Sequence, residues 1–321
     1  MYKEVFWQEK SKHFFISEMR IMMNTREKRE KRKFFLFISP WVIGFLVFTL
    51  IPMMMSFYYS FTDWNVLTPE TFVGLDNYTG LFKDELFYQS IKVTGVYTLI
   101  MVPLNVFLSL LVAVLLNMES SGTSLFRAIF YIPAVLPAVV VSVLWTWILN
   151  SKYGLLNDAL SKLGIEGPRW LSDPKWAMWS MIIMGIWGIG GGIIMYLAGL
   201  QAVPRNLYEA ARLDGARFWN RLFYITIPSM SPIILFTFLT GMIGTLQIFT
   251  PAYIMTSGGP NNSTLFYAYY LYKNGFSYRK MGKACAMAWL LLIVIFLLSM
   301  LVLRVSRNMV YYESDEGGKL V

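Results

Sequence analysis

Hydrophobic positions in this chain rarely alternate with polar ones; they run on in long blocks. Six stretches reach or exceed the ~20 residues that a helix needs to cross the hydrocarbon layer. They are roughly Phe34 to Phe61, Ile91 to Leu116, Phe126 to Leu149, Trp176 to Leu200, Pro232 to Met255 and Ala284 to Leu303. A short polar turn separates the second and third, and longer segments separate the others, including the one between the fourth and the fifth. The pattern predicts an all-α membrane protein with six transmembrane helices and both termini on one side. Pro40 and Pro52 in the first stretch, Pro103 in the second, and Pro133 and Pro137 in the third predict kinks where the freed carbonyls face protein or a cavity. Gly188 and Gly192, four apart in the fourth, predict a close helix approach.

Composition agrees: 56% of the 321 residues are hydrophobic, 17% aromatic and 15% charged, with a mean hydropathy of +0.50. With the N-terminus inside, eighteen of the 28 lysines and arginines fall on the inner side, including the block from Arg26 to Lys33. The positive-inside rule therefore predicts cytoplasmic termini. The net charge of +9 lies mostly beside membrane ends, where anionic headgroups supply the counter-charge, so no nucleic-acid partner is expected. Residues 1 to 33 mix Phe6, Trp7, Phe14, Phe15 and Ile16 with Lys10, Lys12 and Arg20, as in a helix lying on the inner surface. A later start at Met19, Met22 or Met23 is the alternative. No small-residue cleavage pattern follows the first stretch, which is expected to be a retained anchor.

Several chemistries are excluded by residue count. His13 is the sole histidine and Cys285 the sole cysteine, so a histidine triad, a cysteine metal cluster and an internal disulfide have no ligands to use. No G-x-x-x-x-G-K-[ST] run occurs, so the chain has no P-loop for ATP. The spans carry almost no ionisable side chains, which argues against an ion-coupled carrier or a membrane-bound enzyme.

The loop after the fourth span breaks the apolar pattern with Glu209, Ala210, Ala211, Arg212, Leu213, Asp214 and Gly215, then, after nine residues, Ile225, Thr226, Ile227 and Pro228. Asn206 and Glu209 predict a capped helix from Leu207, Gly215 a left-handed stop, and Ala216 to Ile227 a second helix with Phe218, Trp219, Leu222 and Phe223 on its apolar side. Pro228 and Pro232 mark the bend into the fifth span. By local physics alone this is a well-capped amphipathic loop. The full spacing, E-A-A-x-x-x-G-x9-I-x-[LI]-P, resembles the coupling loop of the permease subunits of bacterial binding-protein-dependent ABC importers. Three further passages resemble the first permease of the carbohydrate group, typified by maltose and glycerol-phosphate importers: Phe72 to Tyr78, Arg127 to Pro137, and Gly258, Gly259, Pro260 followed by Thr264. The similarity runs from Phe34 to Arg307, with Ile227 standing where leucine is commoner.

The resemblance implies the type I, or MetI-like, permease fold in the bacterial inner membrane. Residues 34–303 would form the permease domain, with a coupling loop at 201–228 and cytoplasmic tails at 1–33 and 304–321. It implies a heterodimer with a second homologous permease, two cytoplasmic ATPase subunits and an extracytoplasmic solute-binding protein. ATP and Mg would be bound by the partner ATPase, with no cofactor and no enzymatic site in this chain. Glu209, Ala210, Ala211, Asp214, Gly215, Ile225 and Pro228 would form the ATPase-coupling surface. Asn105, Thr245, Gln247, Thr250 and Tyr253, beside Phe249, are candidates for the path of a sugar or oligosaccharide, or equally for interhelical hydrogen bonds. Gly258, Gly259, Pro260 and Asn261 are candidates for a binding-protein contact or for a plain tight turn. A phosphorylated polyol or a peptide is the alternative solute.

Overall fold

The computed structural model describes residues 29–118, 122–307 and 310. The expected surface helix and His13, in residues 1–28, lie outside the described residues, as do residues 119–121 and most of the C-terminal tail. Contacts divide the chain into two units, Met1–Tyr58 and Tyr59–Val321.

The described residues of the first unit lie in a helix, α1 (Arg29–Tyr59), of mean hydropathy 2.4, with Phe37, Trp41, Phe48 and Met54 all exposed. A helix that is apolar all round is a membrane span rather than a surface helix. Proline at position 52 has no N–H to give the carbonyl four residues back. The helix absorbs this in a π-helical turn, Leu46–Leu50, where the N–H of Ile51 reaches Leu46.

The second unit begins with a two-residue antiparallel ribbon, β1 (Thr62–Asp63) and β2 (Thr71–Phe72), and a short helix α2 (Asp76–Leu81). Then come α3 (Glu85–Leu116), α4 (Thr123–Val135), α5 (Ala138–Ile148), α6 (Leu155–Lys162), α7 (Pro174–Trp187), α8 (Gly190–Ala202) and α9 (Arg205–Leu213). The chain continues with α10 (Phe218–Ser229), α11 (Ser231–Leu246), α12 (Tyr267–Tyr272) and α13 (Met281–Ser306). Three helices, α1, α3 and α13, are unbroken and long enough to span. The remaining candidates are bent pairs: α4 with α5 at 103°, α7 with α8 at 41°, and α10 with α11 at 65°.

The first two bends correct the expectation of kinked but continuous spans, while the third falls between Pro228 and Pro232, where the bend into the fifth span is expected. Between α4 and α5, Leu136 takes an extended conformation (ψ 136°) ahead of Pro137, whose ring disfavours a helical predecessor. The third stretch thus folds back on itself. The fourth breaks at Gly188, which ends α7 instead of packing against another helix. The close approaches belong to its neighbours: a Cβ on Gly190 would lie 2.2 Å from the Phe130 carbonyl, and one on Gly192 would lie 2.7 Å from Ser109 Oγ. Pro103, by contrast, is carried within α3 without ending it.

Two clusters of buried side chains sit at opposite ends of α3. One gathers Ala113, Leu116, Ile193, Tyr196, Leu197, Leu200 and Met230 around the feet of α3 and α8. The other gathers Leu81, Phe87, Tyr97, Met181, Phe266, Tyr267, Tyr270 and Met287. Inside lipid, apolar burial gives little drive for helices to associate, so close packing and hydrogen bonds must hold them. Tyr196 supplies both, fully buried and hydrogen-bonded to Thr237 at 2.5 Å.

Candidate functional site

Helix α9 stands at the end of the molecule where α3 finishes. Its capping differs from the expectation. The N-cap is Pro204, without a side-chain bond, and Asn206 lies inside the first turn, its Oδ1 accepting from the Leu207 N–H at 3.0 Å. The chain reaches the helix through a bend at Val203 and Pro204, so the helix opens two residues earlier. Its far end is as anticipated. Gly215 sits at φ +75°, its N–H donates to Arg212 at 3.1 Å, and the Ala216 N–H donates to Ala211 at 2.8 Å. That pair of bonds is the Schellman closure, which consumes the last carbonyls and depends on a left-handed residue.

Glu209, Ala210, Asp214 and Gly215 are exposed, and Leu213 is 90% exposed. A Cβ on Gly215 would meet nothing within 4 Å. Ala211 is half-buried, as are Ile225 and Pro228, and Ile225 packs against the nearby core. The motif therefore has two parts: a presented face on α9, and an anchor on α10. Tyr208 joins them, its hydroxyl 2.9 Å from that of Thr226. Within α10 a π-helical turn, Leu222–Thr226, precedes Pro228, the same accommodation that α1 makes before Pro52.

At the opposite end, Phe72 to Tyr78 forms a clamp. Gly74 turns the chain at φ +61°, and Asn77 Nδ2 donates to the carbonyls of Ser60 (2.9 Å) and Thr62 (2.8 Å). Tyr78 donates to Ser60 Oγ at 2.8 Å. The start of α13 closes onto this clamp, with a Cβ on Gly282 only 1.9 Å from the Thr62 carbonyl. Asp84 caps α3 through the Leu86 N–H at 3.0 Å, and its Oδ2 accepts from Lys283 Nζ at 2.6 Å and from the Tyr270 hydroxyl at 2.5 Å. Burial pushes the Asp84 carboxyl up, but the donors from Lys283, Tyr270 and Leu86 outweigh it and hold the group below its ordinary value. One carboxylate thus ties α3, α12 and α13 together.

No hydrogen bond joins one candidate path residue to another among the described residues. Asn105 accepts from Ser109 at 3.2 Å beside α8, and Thr245 bonds back to the carbonyls of Gly241 and Met242 at 3.0 Å each. Gln247 is exposed where α11 ends, Thr250 is half-buried in the break, and Tyr253 is 46% exposed on the π-helical turn Ala252–Thr256. The turn that follows is tightly built. Gly258 is buried at φ +80°, where a Cβ would meet the Tyr269 ring at 2.9 Å, and Thr264 Oγ1 donates to the Gly259 carbonyl at 2.7 Å. Pro260 is half-buried, while Asn261 and Asn262 point outward.

Residues 105–310, nearly two thirds of the chain and most of the elements just described, match the family described as the inner membrane component of binding-protein-dependent transport systems. The chain belongs to that family. The permease is 40% identical to the Bacillus subtilis (strain 168) protein YesP, a probable ABC transporter permease, over 87% of this chain and 92% of that one. It is 34% identical to the arabinooligosaccharides transport system permease protein AraP of the same organism, over 85% and 88% of the two chains. Among solved structures it superposes on a bacterial ABC transporter involved in the import of the acidic polysaccharide alginate with a TM-score of 0.79, at 26% identity, covering 88% of this chain and 99% of that one. The expected MetI-like permease fold is thus the observed one, in a multi-pass inner membrane protein.

Sequence reading missed part of the permease surface. Phe249, Tyr253, Tyr272 and Phe276 form one aromatic patch over the buried Tyr269, with Phe249 stacked on Tyr253 at 5.5 Å and Tyr272 on Phe276 at 5.0 Å. Tyr272 meets Tyr253 edge-on at 5.4 Å, and Lys273 lies over the Tyr269 ring at 5.9 Å. The run of tyrosines at 267, 269, 270 and 272 was the available signal. Only the folding of α12 against the end of the fifth span turns it into a platform.

Proposed function

We propose that this permease pairs with a second homologous permease to form the path of an ATP-driven importer for a sugar or oligosaccharide, and that α9 docks on a separate ATPase. The observation that carries the coupling part is the presented face of α9: a closed helix with Glu209, Leu213, Asp214 and Gly215 all exposed. An amphipathic helix of this kind is suited to a groove on a partner. ATP and Mg would sit on two such ATPase subunits, and a solute-binding protein would deliver the solute at the opposite end, beside Asn261 and the turn at Gly258. The charge distribution supports α9 and both termini on the cytoplasmic side. Closure of the ATPase pair would then move α9, and through Tyr208 and Ile225 the feet of α3, α8 and α10, as a rigid body.

Carbohydrate is favoured by the solutes that relatives carry and by the aromatic patch, since flat rings stack on the apolar faces of sugar rings. The deciding experiment is Gly215→Asp. A side chain at φ +75° is strained, and a new carboxylate would stand on the docking face itself. Insertion and pairing with the second permease should survive, while ATPase co-purification and solute uptake fall together by at least tenfold. Normal ATPase capture and normal uptake in this variant would overturn the assignment.

A further inference from the structure

The molecule holds a second feature at the α9 end, behind the exposed face of that helix. A cavity of about 280 Å³ opens between the foot of α3 and helices α9 and α10. Its polar wall is Arg212, Arg221, Asn117, Tyr208 and Thr226, and its apolar wall includes Phe218 and Leu222. Among the described residues the lining contains no carboxylate. Among the described residues neither guanidinium has an ion-pair partner, and Arg221 Nε is buried without any hydrogen-bond acceptor. A buried guanidinium donor left unmatched costs the full loss of its hydration, so such a donor points to a missing acceptor.

The local fields favour an anion. The carbonyl end of α3 would oppose negative charge, but Arg127 Nη2 donates to the Leu116 carbonyl at 3.0 Å and sets a third guanidinium against that end. The planar fork of arginine suits the paired oxygens of a phosphate. Next to the cavity, Trp219, Phe223 and Tyr224 are 63%, 57% and 81% exposed, with Trp219 stacked on Phe223 at 6.1 Å. Exposed aromatic rings of this kind belong at the level where lipid headgroups meet hydrocarbon.

We propose that this cavity binds the phosphate of an anionic phospholipid, with Arg212 and Arg221 on the headgroup and Phe218, Leu222 and the exposed α10 aromatics along the acyl chains. The paired polar and apolar walls favour an amphiphile over free phosphate. Because Arg212 belongs to α9 and Arg221 to α10, the lipid bridges the coupling helix to its anchor. The membrane thereby joins the coupling unit. The placement at the inner leaflet rests on the orientation proposed above.

Full-length permease in detergent is titrated with phosphatidylglycerol, with phosphatidylcholine or with inorganic phosphate, and bound species are counted by native mass spectrometry. The wild type should retain phosphatidylglycerol at least tenfold over phosphatidylcholine. The preference should disappear in Arg221→Gln and in Arg212→Gln, persist in Arg221→Lys, and persist in Arg205→Gln, a neighbouring exposed arginine outside the cavity. Equal retention of the two lipids by the wild type would overturn the proposal, as would an unchanged preference in Arg221→Gln. Displacement of the lipid by millimolar inorganic phosphate would assign the cavity to a soluble anion instead. None of these readouts needs the ATPase, so the lipid assignment fails or stands separately from ATPase capture.

Discussion

The two ends of α3, about 48 Å apart for a helix of 32 residues, are built in opposite ways. At the Asp84 end, three polar arrangements close within the chain: the Asn77 clamp, the Lys283–Asp84–Tyr270 triad and the bond from the Tyr267 N–H to Thr94 Oγ1 at 2.8 Å. At the Asn117 end, Glu209 and Asp214 are exposed, and Arg212 and Arg221 line a cavity with no ion-pair partner among the described residues. One end is finished as a scaffold; the other carries the face proposed above to dock on an ATPase. That asymmetry suits a subunit that receives mechanical work at one end and must keep its shape at the other.

The comparison breaks most severely at Gly282. A side chain there would overlap the Thr62 carbonyl, which is backbone and has nowhere to move, so Gly282→Val should destabilise the scaffold end by on the order of 3 kcal/mol. Thermal unfolding of the purified permease should show a large drop in midpoint; an unchanged midpoint would mean that the clamp does not hold α13.

Next comes Asp84→Asn, which removes the negative charge facing Lys283 and leaves one acceptor oxygen for the donors of Leu86, Tyr270 and Lys283, in a site where both charged side chains are under one fifth exposed. The expected loss is about 2 kcal/mol, and Lys283→Met in the same background should return part of it. The sign of the pH effect follows from the lowered carboxyl. Stability from this site is fully present above the unfolded value near 3.9 and is lost as pH falls through the still lower folded value. Wild type should therefore lose midpoint below about pH 4 more steeply than Asp84→Asn, and equal slopes would remove the triad from the account.

A smaller effect is expected at the open end. Tyr208→Phe deletes the bond to Thr226, worth about 1 kcal/mol, and loosens α9 from α10. ATPase capture should weaken several-fold while the thermal midpoint barely moves; a shifted midpoint with normal capture would make Tyr208 part of the scaffold. Thr245→Val should do least, since its hydroxyl already bonds within α11. Uptake kinetics within twofold of wild type are expected, against a clear loss for Tyr253→Ala on the aromatic patch, and a larger loss at Thr245 would return it to the solute path.

Much of this was legible in the chain itself. Hydrophobic run length fixes which segments are buried in lipid, because each span must satisfy its own backbone locally. The left-handed stop at Gly215 was equally readable, since helix ends are set by residues within one turn of them. What only the tertiary structure decided is where distant segments meet: the 103° fold-back at Leu136 and Pro137, the contacts of Gly190 and Gly192, the sharing of Asp84 by partners 186 and 199 residues away, and the aromatic patch. Sequence periodicity reports only local length and polarity. Inside a membrane every span looks alike to that measure, and the choice among neighbours falls to close packing and single hydrogen bonds between residues far apart in the chain.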